Sequence, residues 1–237
     1  MAVSAPDHIL IIKPSSFGDI VHGLPALAAV KRQWPSTRVD WAVKRQWAEL
    51  LTGHPLIGRV ISFPSTVAEA FRSCMDLRRE RYDMVIDLQG LLRSALYGAA
   101  SGCRTRVGFR DGREGSTLFY TRTIDVSRSA VHAVDRNLEL VRQLGANVDG
   151  SARFPIHDGD QERNWLGRLW RERGIAEAEP VCAFHPAARG FVKKWPVERF
   201  ARAADELAGK HGFNIVIIGG DSAKEDAAAM AQRMKRR

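Results

Sequence analysis

Four polar side chains lie close together near the start of the chain, where a strand-like run gives way to a helix-like pattern. The run Ile9–Ile12 is continuously apolar, as is typical of a parallel strand buried on both faces, and Lys13, Ser15, Ser16 and Asp19 follow it. A carboxylate held among small neighbours can deprotonate a hydroxyl group that enters from a crevice. Because Asp is also favoured at helix N-termini, Asp19 could instead serve only to cap the helix that it opens.

The loop between this strand and the following helix lacks the common nucleotide-binding motifs. It contains neither G-x-G-x-x-G nor G-x-x-x-x-G-K-[ST], so neither a dinucleotide fingerprint nor an NTPase phosphate loop is predicted. The histidines show no metal-site spacing, and Cys74, Cys103 and Cys182 are widely separated, with no C-x-x-C. We therefore predict no metal site and no bound cofactor, and the thiols suit a reducing compartment.

The elements that must position these side chains follow from alternating apolar runs and helical patterns. This alternation is typical of βα units on a parallel sheet, so the predicted fold class is α/β. The predicted strands are Ile9–Ile12, Arg38–Val43, Arg59–Phe63, Met84–Leu88, Thr105–Phe109 and Thr123–Asp125, and the predicted helices are Ile20–Gln33, Arg45–Gly53, Val67–Glu80, Leu91–Ser101 and Ala130–Leu144.

A second α/β unit is predicted towards the end of the chain. The segment 151–180 has the pattern of a linker with one amphipathic helix, which we expect to end near Gly174. The strand Val181–Phe184, a helix that starts around Pro196 and the buried strand Asn214–Ile218 follow. The predicted domains are therefore 1–155, a linker helix in 156–179, and 180–237.

The composition restricts the classes of partner. The chain has 237 residues, 45% of them hydrophobic, with 36 basic against 27 acidic residues and a net charge of +9. Such a balance favours phosphate-bearing partners such as nucleotides, nucleic acid or an anionic membrane. A nucleic-acid partner is the weakest of these hypotheses because basic and aromatic residues do not interleave. The polar start and the lack of a long apolar run predict a cytoplasmic protein without a membrane span.

Four segments together resemble the heptosyltransferases of glycosyltransferase family nine. They are SSFGDIVHGLPAL after the first strand, VIDLQGLLRSAL from Val85, HAVDRNLEL from His132 and HPAARGFVKKWPVERF from His185. The resemblance is strongest to members that add the first heptose to Kdo in the lipopolysaccharide inner core. It implies a GT-B-like architecture, with a Rossmann-like acceptor-binding domain followed by a Rossmann-like domain for the nucleotide sugar.

The resemblance also implies a reaction and a location. Heptose would pass from ADP-heptose, acting as co-substrate, to Kdo on lipid A by a single inverting displacement, at the cytosolic face of the inner membrane. Asp19 would be the base that takes the proton from the acceptor hydroxyl, which favours catalysis over capping alone. Lys13 would hold Asp19 or the acceptor, although a lysine at a strand end often reaches solvent.

Several residues of the first domain are implied to bind the acceptor. Arg113 corresponds to a family arginine at the acidic groups of the acceptor, and Arg suits a two-pronged contact with carboxylate. Arg78 and Arg79 lie in a basic helical stretch that could equally be a solvated helix face. His132 is expected to be structural. The acceptor-binding set is Lys13, Ser15, Ser16, Gln89, Arg78, Arg79 and Arg113.

The second domain is implied to bind the donor through two loops. Lys193, with Lys194 as the second choice, is expected to neutralise the diphosphate, since a cation there could stabilise the leaving group. Ala187 and Ala188 stand where the family usually has hydroxyl residues. For the nucleoside, Asp221 and Glu225 are both candidates.

The resemblance implies further strands and a second donor-binding loop beyond the position of Arg237. We therefore expect a fragment, a truncated gene product or a chain that a partner completes. The alternative function is a truncated, non-catalytic module that binds an anionic glycolipid or a nucleotide sugar.

Overall fold

A computed structural model describes residues 5–126, 132–148, 152–188 and 190–235. The chain divides into two compact units, Met1–Asp158 and Gly159–Arg237. Each unit has its own parallel sheet and its own helices. None of the helices within the described ranges is long and apolar enough to cross a membrane.

The first unit is built on six parallel strands, which confirms the predicted α/β class. They are β1 His8–Ile12, β2 Arg38–Val43, β3 Arg59–Ser62, β4 Met84–Asp87, β5 Thr105–Phe109 and β6 Arg122–Ile124. The strand order is β3-β2-β1-β4-β5-β6, so the order reverses between β1 and β4. In open sheets of this kind, ligands bind outside the carboxyl ends of the strands at such a reversal.

Strand β1 is the centre of this sheet. Ile9–Ile12 are fully buried, because β2 and β4 pair with β1 on its two sides and helices cover both faces. Ile9 and Ile11 belong to one apolar cluster, whereas Leu10 and Ile12 belong to another. The alternation places one side of the strand towards each layer of the core.

The first unit has five α-helices within its described residues. They are α1 Phe17–Val21, α2 Leu24–Gln33, α3 Val67–Glu80, α4 Leu92–Ala100 and α5 Ala133–Gln143. The prediction for α3 is confirmed to the residue, and those for α4 and α5 agree to within one and three residues. Residue 130, where the predicted fifth helix starts, lies outside the described part of the chain.

Two helix predictions were wrong. The single helix expected over Ile20–Gln33 is two helices, because Gly23 caps α2 and Pro25, which has no N–H, occupies its first turn. The segment predicted as Arg45–Gly53 forms a 3₁₀ helix over Arg45–Leu50. Six residues before a turn offer few hydrogen bonds to offset the cost of nucleating an α-helix.

A polar cluster lies at the amino ends of the first strands, away from the predicted site. The buried Asp40 carboxylate accepts hydrogen bonds from Arg38, from His8 Nε2 at 3.0 Å and from the Tyr82 hydroxyl at 3.0 Å. Glu80 pairs with Arg59 at 2.6 Å beside this group. The cluster therefore joins β1, β2, β3 and the end of α3 by charge-assisted bonds.

The second unit contains a two-stranded parallel sheet. Its elements are α6 Asp160–Glu172, β7 Val181–Phe184, α7 Val197–His211, β8 Asn214–Ile217 and α8 Lys224–Arg233. The predicted stop after α6 is confirmed, since Gly174 has a φ of +68°. A small core of Ala201, Ala204 and Met230 packs beneath the sheet. Helix α6, predicted in a linker, lies in this unit.

Candidate active site

A cavity opens at the carboxyl ends of β1 and β4, where the strand order reverses. Its volume is about 250 Å³. The loop after β1 contributes one wall, the turn after β4 another, and the start of α5 closes a third side. The lining residues are Lys13, Asp19, Leu88, Gln89, Gly90, Phe109, Asp111, Gly112, Arg113, Ala133, Arg136 and Asn137.

Asp19 lies in the first turn of α1 and faces this cavity. Ser16 is the N-cap, so Asp19 does not open the helix as predicted but occupies its third position. The Ser16 backbone N–H and hydroxyl both donate to Asp19 Oδ2 at 2.9 Å. No hydrogen bond to Oδ1 occurs from the described residues. One carboxylate oxygen therefore caps the helix while the other remains available to a ligand.

The pKa of Asp19 lies below its ordinary value. Partial burial acts to raise this pKa, but the two Ser16 hydrogen bonds and the nearby positive charge of Lys13 outweigh that effect. The carboxylate is thus ionised at neutral pH. A weakly basic carboxylate accepts a proton only once the attacking oxygen has become acidic.

Lys13 is buried between two carboxylates. It is 9% exposed, and its Nζ donates to the Leu88 carbonyl at 3.0 Å. Burial lowers the pKa of Lys13, while the charges of Asp19 and Asp87 act to raise it. The alternative of a strand-end lysine in solvent is excluded by this burial. Lys13 instead connects the loop after β1 to the end of β4.

Asp87 and Tyr120 support the turn after β4. Asp87 Oδ1 accepts from the backbone N–H groups of Gln89 at 2.8 Å and Gly90 at 3.2 Å, and Oδ2 accepts from the Tyr120 hydroxyl at 2.8 Å. The Tyr120 ring packs directly on Gly108, where a Cβ would lie 2.3 Å from ring atoms. Burial raises the pKa of Asp87. These contacts hold the turn rather than contact a ligand.

Gln89 and Arg113 were predicted to bind the acceptor, and both line the cavity. Gln89 Oε1 is buried and has no hydrogen-bond partner among the described residues. A buried acceptor without a donor is costly, so a ligand hydroxyl is a suitable partner for it. The Arg113 N–H donates to the Gly90 carbonyl at 2.9 Å, which fixes the arginine's loop to the turn after β4.

Three polar residues that line the cavity were not predicted from the sequence: Asp111, Arg136 and Asn137. Arg136 donates to both oxygens of Asp111 at 2.8 Å, and its guanidinium lies 5.0 Å from the centre of the Phe109 ring. The Asn137 side chain donates to the His22 carbonyl at 2.9 Å. The HAVDRN segment was the available signal, because it resembles the family and contains both Arg136 and Asn137, about one helical turn after His132.

His132 has the structural role that was expected. Its Nδ1 accepts from the Val134 N–H at 3.2 Å and so caps α5. The His132 ring lies 5.0 Å from the ring of His22, one turn after Asp19. His22 Nδ1 is buried without a partner among the residues described.

Two other predicted acceptor residues lie elsewhere. Arg78 and Arg79 are in the last turn of α3 and do not belong to the cavity lining. Arg78 donates to the Ala100 carbonyl at 3.0 Å, and Arg79 lies 3.5 Å from Asp76. Ser15 and Ser16 remain at the loop after β1, where Ser16 is engaged with Asp19. The part of Arg78 and Arg79 in acceptor binding stays a prediction.

In the second unit the predicted donor residues lie on the loops after β7 and β8. Lys194 Nζ pairs with Asp226 at 2.7 Å, whereas Lys193 is exposed and has no ion pair within the described ranges. Ala187 accepts a hydrogen bond from His185 Nδ1 through its carbonyl at 2.9 Å, and Ala188 follows it. Because β7 and β8 are parallel neighbours, both loops lie at one edge of their sheet.

Asp221 and Glu225, the two candidates for binding the nucleoside, have different surroundings. Asp221 pairs with Lys224 at 2.7 Å, and Glu225 is exposed in the first turn of α8. Neither residue pairs with Lys193 or Lys194 in the part of the chain that is described. The acidic partner of Lys194 is Asp226, which the sequence prediction did not name. Nucleoside binding by Glu225 stays a prediction.

Comparison with known proteins identifies related chains. The model of glycosyltransferase family 9 (heptosyltransferase) matches residues 71–237. Lipopolysaccharide heptosyltransferase 1 of Escherichia coli K12 is 30% identical, in an alignment that covers 93% of this chain and 70% of the relative. The chain therefore corresponds to about seven tenths of that protein.

Solved structures agree with this relationship. E. coli heptosyltransferase WaaC with ADP-2-deoxy-2-fluoro heptose superposes with a TM-score of 0.74 at 26% identity, over 95% of this chain and 73% of that one. A family 9 glycosyl transferase from Veillonella parvula has a TM-score of 0.86 at 19% identity, over 99% of this chain and 70% of that one. The second likeness concerns the fold alone.

Proposed function

The chain belongs to glycosyltransferase family 9, the heptosyltransferase family, and from that premise we propose that it transfers L-glycero-D-manno-heptose from ADP-heptose to Kdo of the lipopolysaccharide inner core. The observation that supports this most directly is Asp19, a carboxylate with one free oxygen in a cavity at the reversal of the sheet. The curated relative is named as a lipopolysaccharide heptosyltransferase, and E. coli heptosyltransferase WaaC was solved with an ADP-heptose analogue.

The proposed reaction is a single inverting displacement. The acceptor hydroxyl oxygen forms a bond to the anomeric carbon of heptose as the bond from that carbon to the ADP oxygen breaks. The hydroxyl proton passes to Asp19 Oδ1, and ADP departs with the electron pair of the broken bond. Because the pKa of Asp19 is lowered, proton transfer follows most of the bond formation rather than preceding it.

The cavity chemistry fits an anionic, hydroxyl-rich acceptor. Arg113 and Arg136 place two guanidinium groups on its wall, and Arg binds carboxylate or phosphate through two parallel hydrogen bonds. Gln89 Oε1 offers an acceptor for a sugar hydroxyl. The charge of Lys13 adds to the Ser16 hydrogen bonds in lowering the pKa of Asp19, and Lys13 itself is held by its bond to the Leu88 carbonyl. A Kdo carboxylate would engage Arg113, and a neighbouring hydroxyl group would donate to Gln89 Oε1, while Arg136 is paired with Asp111.

The donor is proposed to bind the second unit through the loop after β7. Lys193 would neutralise charge that develops on the departing diphosphate, a role that needs no metal or cofactor. Ala187 and Ala188 offer the phosphates only backbone groups. A cytoplasmic location beside the inner membrane follows from the proposed substrates, since ADP-heptose is a soluble nucleotide sugar and the acceptor is a lipid.

The central test replaces Asp19 with asparagine. The asparagine side chain can still accept the Ser16 hydrogen bonds but cannot take a proton, so Asp19→Asn should lower transfer by at least about a thousandfold, within the range of general-base and electrostatic contributions. Product formation from ADP-heptose and a Kdo-lipid A acceptor is measured by mass spectrometry. Far-UV circular dichroism and the melting curve should change little.

Glu69→Gln is the matched control for this substitution. Glu69 occupies the same third position in α3, where it accepts from the Ser65 N–H at 2.7 Å, but it lies away from the cavity. We expect this variant to retain transfer. Turnover by Asp19→Asn equal to that of Glu69→Gln would reduce Asp19 to a capping residue and leave the proposed mechanism without a base.

A further inference from the structure

Helix α3 exposes a continuous apolar stripe. Val67, Phe71 and Met75 follow one another at intervals of four residues, which places them on one side of the helix, and they are 88%, 73% and 44% exposed. The inward side of the same helix already packs against the core through Leu77 and Cys74. The stripe therefore does not contribute to the hydrophobic core, although a solvent-facing helix side normally presents polar residues.

An apolar cleft adjoins this stripe. It has a volume of about 510 Å³ and runs between α3 and α4, with Val67 and Cys74 on one wall and Leu96 and Tyr97 on the other. Leu96 is itself 44% exposed. The cleft starts at Phe63 and Pro64, directly after β3. Because the sheet is parallel, this is the same edge at which the cavity with Asp19 opens.

The charges around this surface are arranged asymmetrically. The 100° step of the helix places Arg78 in line with the stripe and Arg72 and Arg79 beside it. Asp76, Glu69 and Glu80 lie beyond them, and Arg79 is 3.5 Å from Asp76. Glu80 is neutralised by Arg59, and Glu69 is turned towards the Ser65 N–H. On the other side of the cleft, the Arg93 guanidinium lies 5.3 Å from the centre of the Phe63 ring. The apolar surface is thus flanked by cations.

We propose that the exposed stripe of α3 and the adjoining cleft form a docking surface for an anionic lipid bilayer. An apolar helix face with an aromatic side chain and flanking basic residues has the chemistry of a helix that lies in the membrane interface. Arginines near an anionic leaflet add electrostatic attraction. The inference rests on the proposed function, because docking at this edge brings the cavity to an acceptor that is anchored in the same leaflet.

The test measures binding to vesicles without donor or acceptor. The full chain is sedimented with vesicles of 30% phosphatidylglycerol in phosphatidylethanolamine and with vesicles of phosphatidylcholine alone. We expect binding to the anionic vesicles, weaker binding at 0.5 M NaCl because salt screens the arginines, and little binding to phosphatidylcholine. Phe71→Ser with Met75→Ser should lower the partition constant at least tenfold, and Arg72→Gln about fivefold, consistent with one basic residue near the surface.

Controls of the same chemistry lie elsewhere on the chain. Ile156→Ser removes another exposed apolar side chain, and Arg202→Gln removes another exposed arginine; both should bind vesicles like the unaltered chain. Unchanged vesicle binding by the α3 double variant, or no binding of the unaltered chain to anionic vesicles, would overturn the proposal. A dimer that this variant abolishes, without vesicle binding, would assign the surface to a second copy instead.

Failure of docking and failure of the transferase hypothesis give different results. The α3 double variant should lose transfer to acceptor embedded in vesicles but retain it with a deacylated, water-soluble acceptor. Loss of both activities with intact folding would show that α3 acts in the chemistry rather than in docking. Vesicle binding by a chain that transfers no heptose would support the docking surface and reject the proposed function.

Discussion

In the first unit, β1 lies between two parallel neighbours and Ile9–Ile12 are fully buried, whereas in the second unit every residue of β8 is only half-buried. The chemically important side chains follow the same division. Lys13 is 9% exposed and bonded to the Leu88 carbonyl, while Lys193 is exposed on a loop. Burial between strands therefore fixes the position of Lys13, whereas the described residues around Lys193 leave that side chain exposed.

This difference in burial affects how much ordering each group of side chains needs when its ligand binds. A site that is assembled from strand ends is already in place before a substrate arrives, so little binding energy is spent on ordering it. Lysines on an exposed loop lose side-chain freedom when they bind a diphosphate. We therefore expect Lys13 to be in position before the acceptor binds and the Lys193 side chain to become ordered when the donor binds.

The largest test of this contrast is a pair of matched truncations in the two sheets. Ile11→Ala should lower the free energy of unfolding of the first unit by about 4 kcal/mol, because it leaves a cavity in a fully buried strand. Ile215→Ala in half-buried β8 should cost about 1–2 kcal/mol, since less apolar surface is lost. Hydrogen exchange of peptides from β1 and β8, followed by mass spectrometry, measures the two effects separately. Equal losses would contradict the contrast in burial.

Much of the first unit was accessible from its sequence. The apolar runs predicted all six strands to within one residue at either end, and the pattern of α3 predicted that helix to the residue, because buried strands and one-sided helices carry strong periodic signals. The break between α1 and α2 was missed although Gly23 and Pro25 are visible in the sequence. Apolar spacing continues across the break, so periodicity alone does not reveal it.

The predicted residues that line the cavity lie in segments that follow strands of the first sheet, including Arg113 after β5. Asp19, Lys13 and Gln89 come after β1 and β4, and the parallel sheet brings them to one edge. Arg136 and Tyr120 were missed because they reach the site through α5 and a loop far along the chain. In the second unit, the ion pair of Lys194 with Asp226 depends on which turn of α8 faces the loop, and sequence spacing left that undecided.

A smaller effect is expected from the support beneath the cavity. Tyr120→Phe removes the hydroxyl donor to Asp87 Oδ2, and a buried carboxylate that loses a donor should cost about 2 kcal/mol at pH 7. Burial raises the pKa of Asp87 in the folded chain, and loss of this donor should raise it further. Urea unfolding of the variant and the unaltered chain at several pH values measures the deficit.

The sign of the pH effect follows from the raised pKa. A carboxyl group whose folded pKa exceeds its unfolded pKa destabilises the fold as pH rises through the interval between them. The Tyr120→Phe deficit should therefore be largest at pH 7 and shrink as Asp87 becomes protonated at lower pH. Tyr97→Phe is the control, because the Tyr97 hydroxyl pairs with the neutral Ser73 hydroxyl at 2.5 Å. If the two variants lost equal stability at every pH, the Tyr120→Phe deficit would not arise from Asp87.

The smallest expected effect distinguishes the two adjacent lysines of the second unit. Lys194 is held by Asp226 in a partly exposed ion pair, and such pairs contribute about 0–1 kcal/mol to stability. Lys193 keeps its charge available, so Lys193→Gln removes one charge-assisted contact to the diphosphate and should raise the KM for ADP-heptose at least about tenfold. Lys194→Gln should change this KM less than about twofold. Initial rates at varied ADP-heptose measure both values. The reverse ranking would mean that the donor displaces Asp226 from Lys194, and the second unit would then rearrange on binding while the first does not.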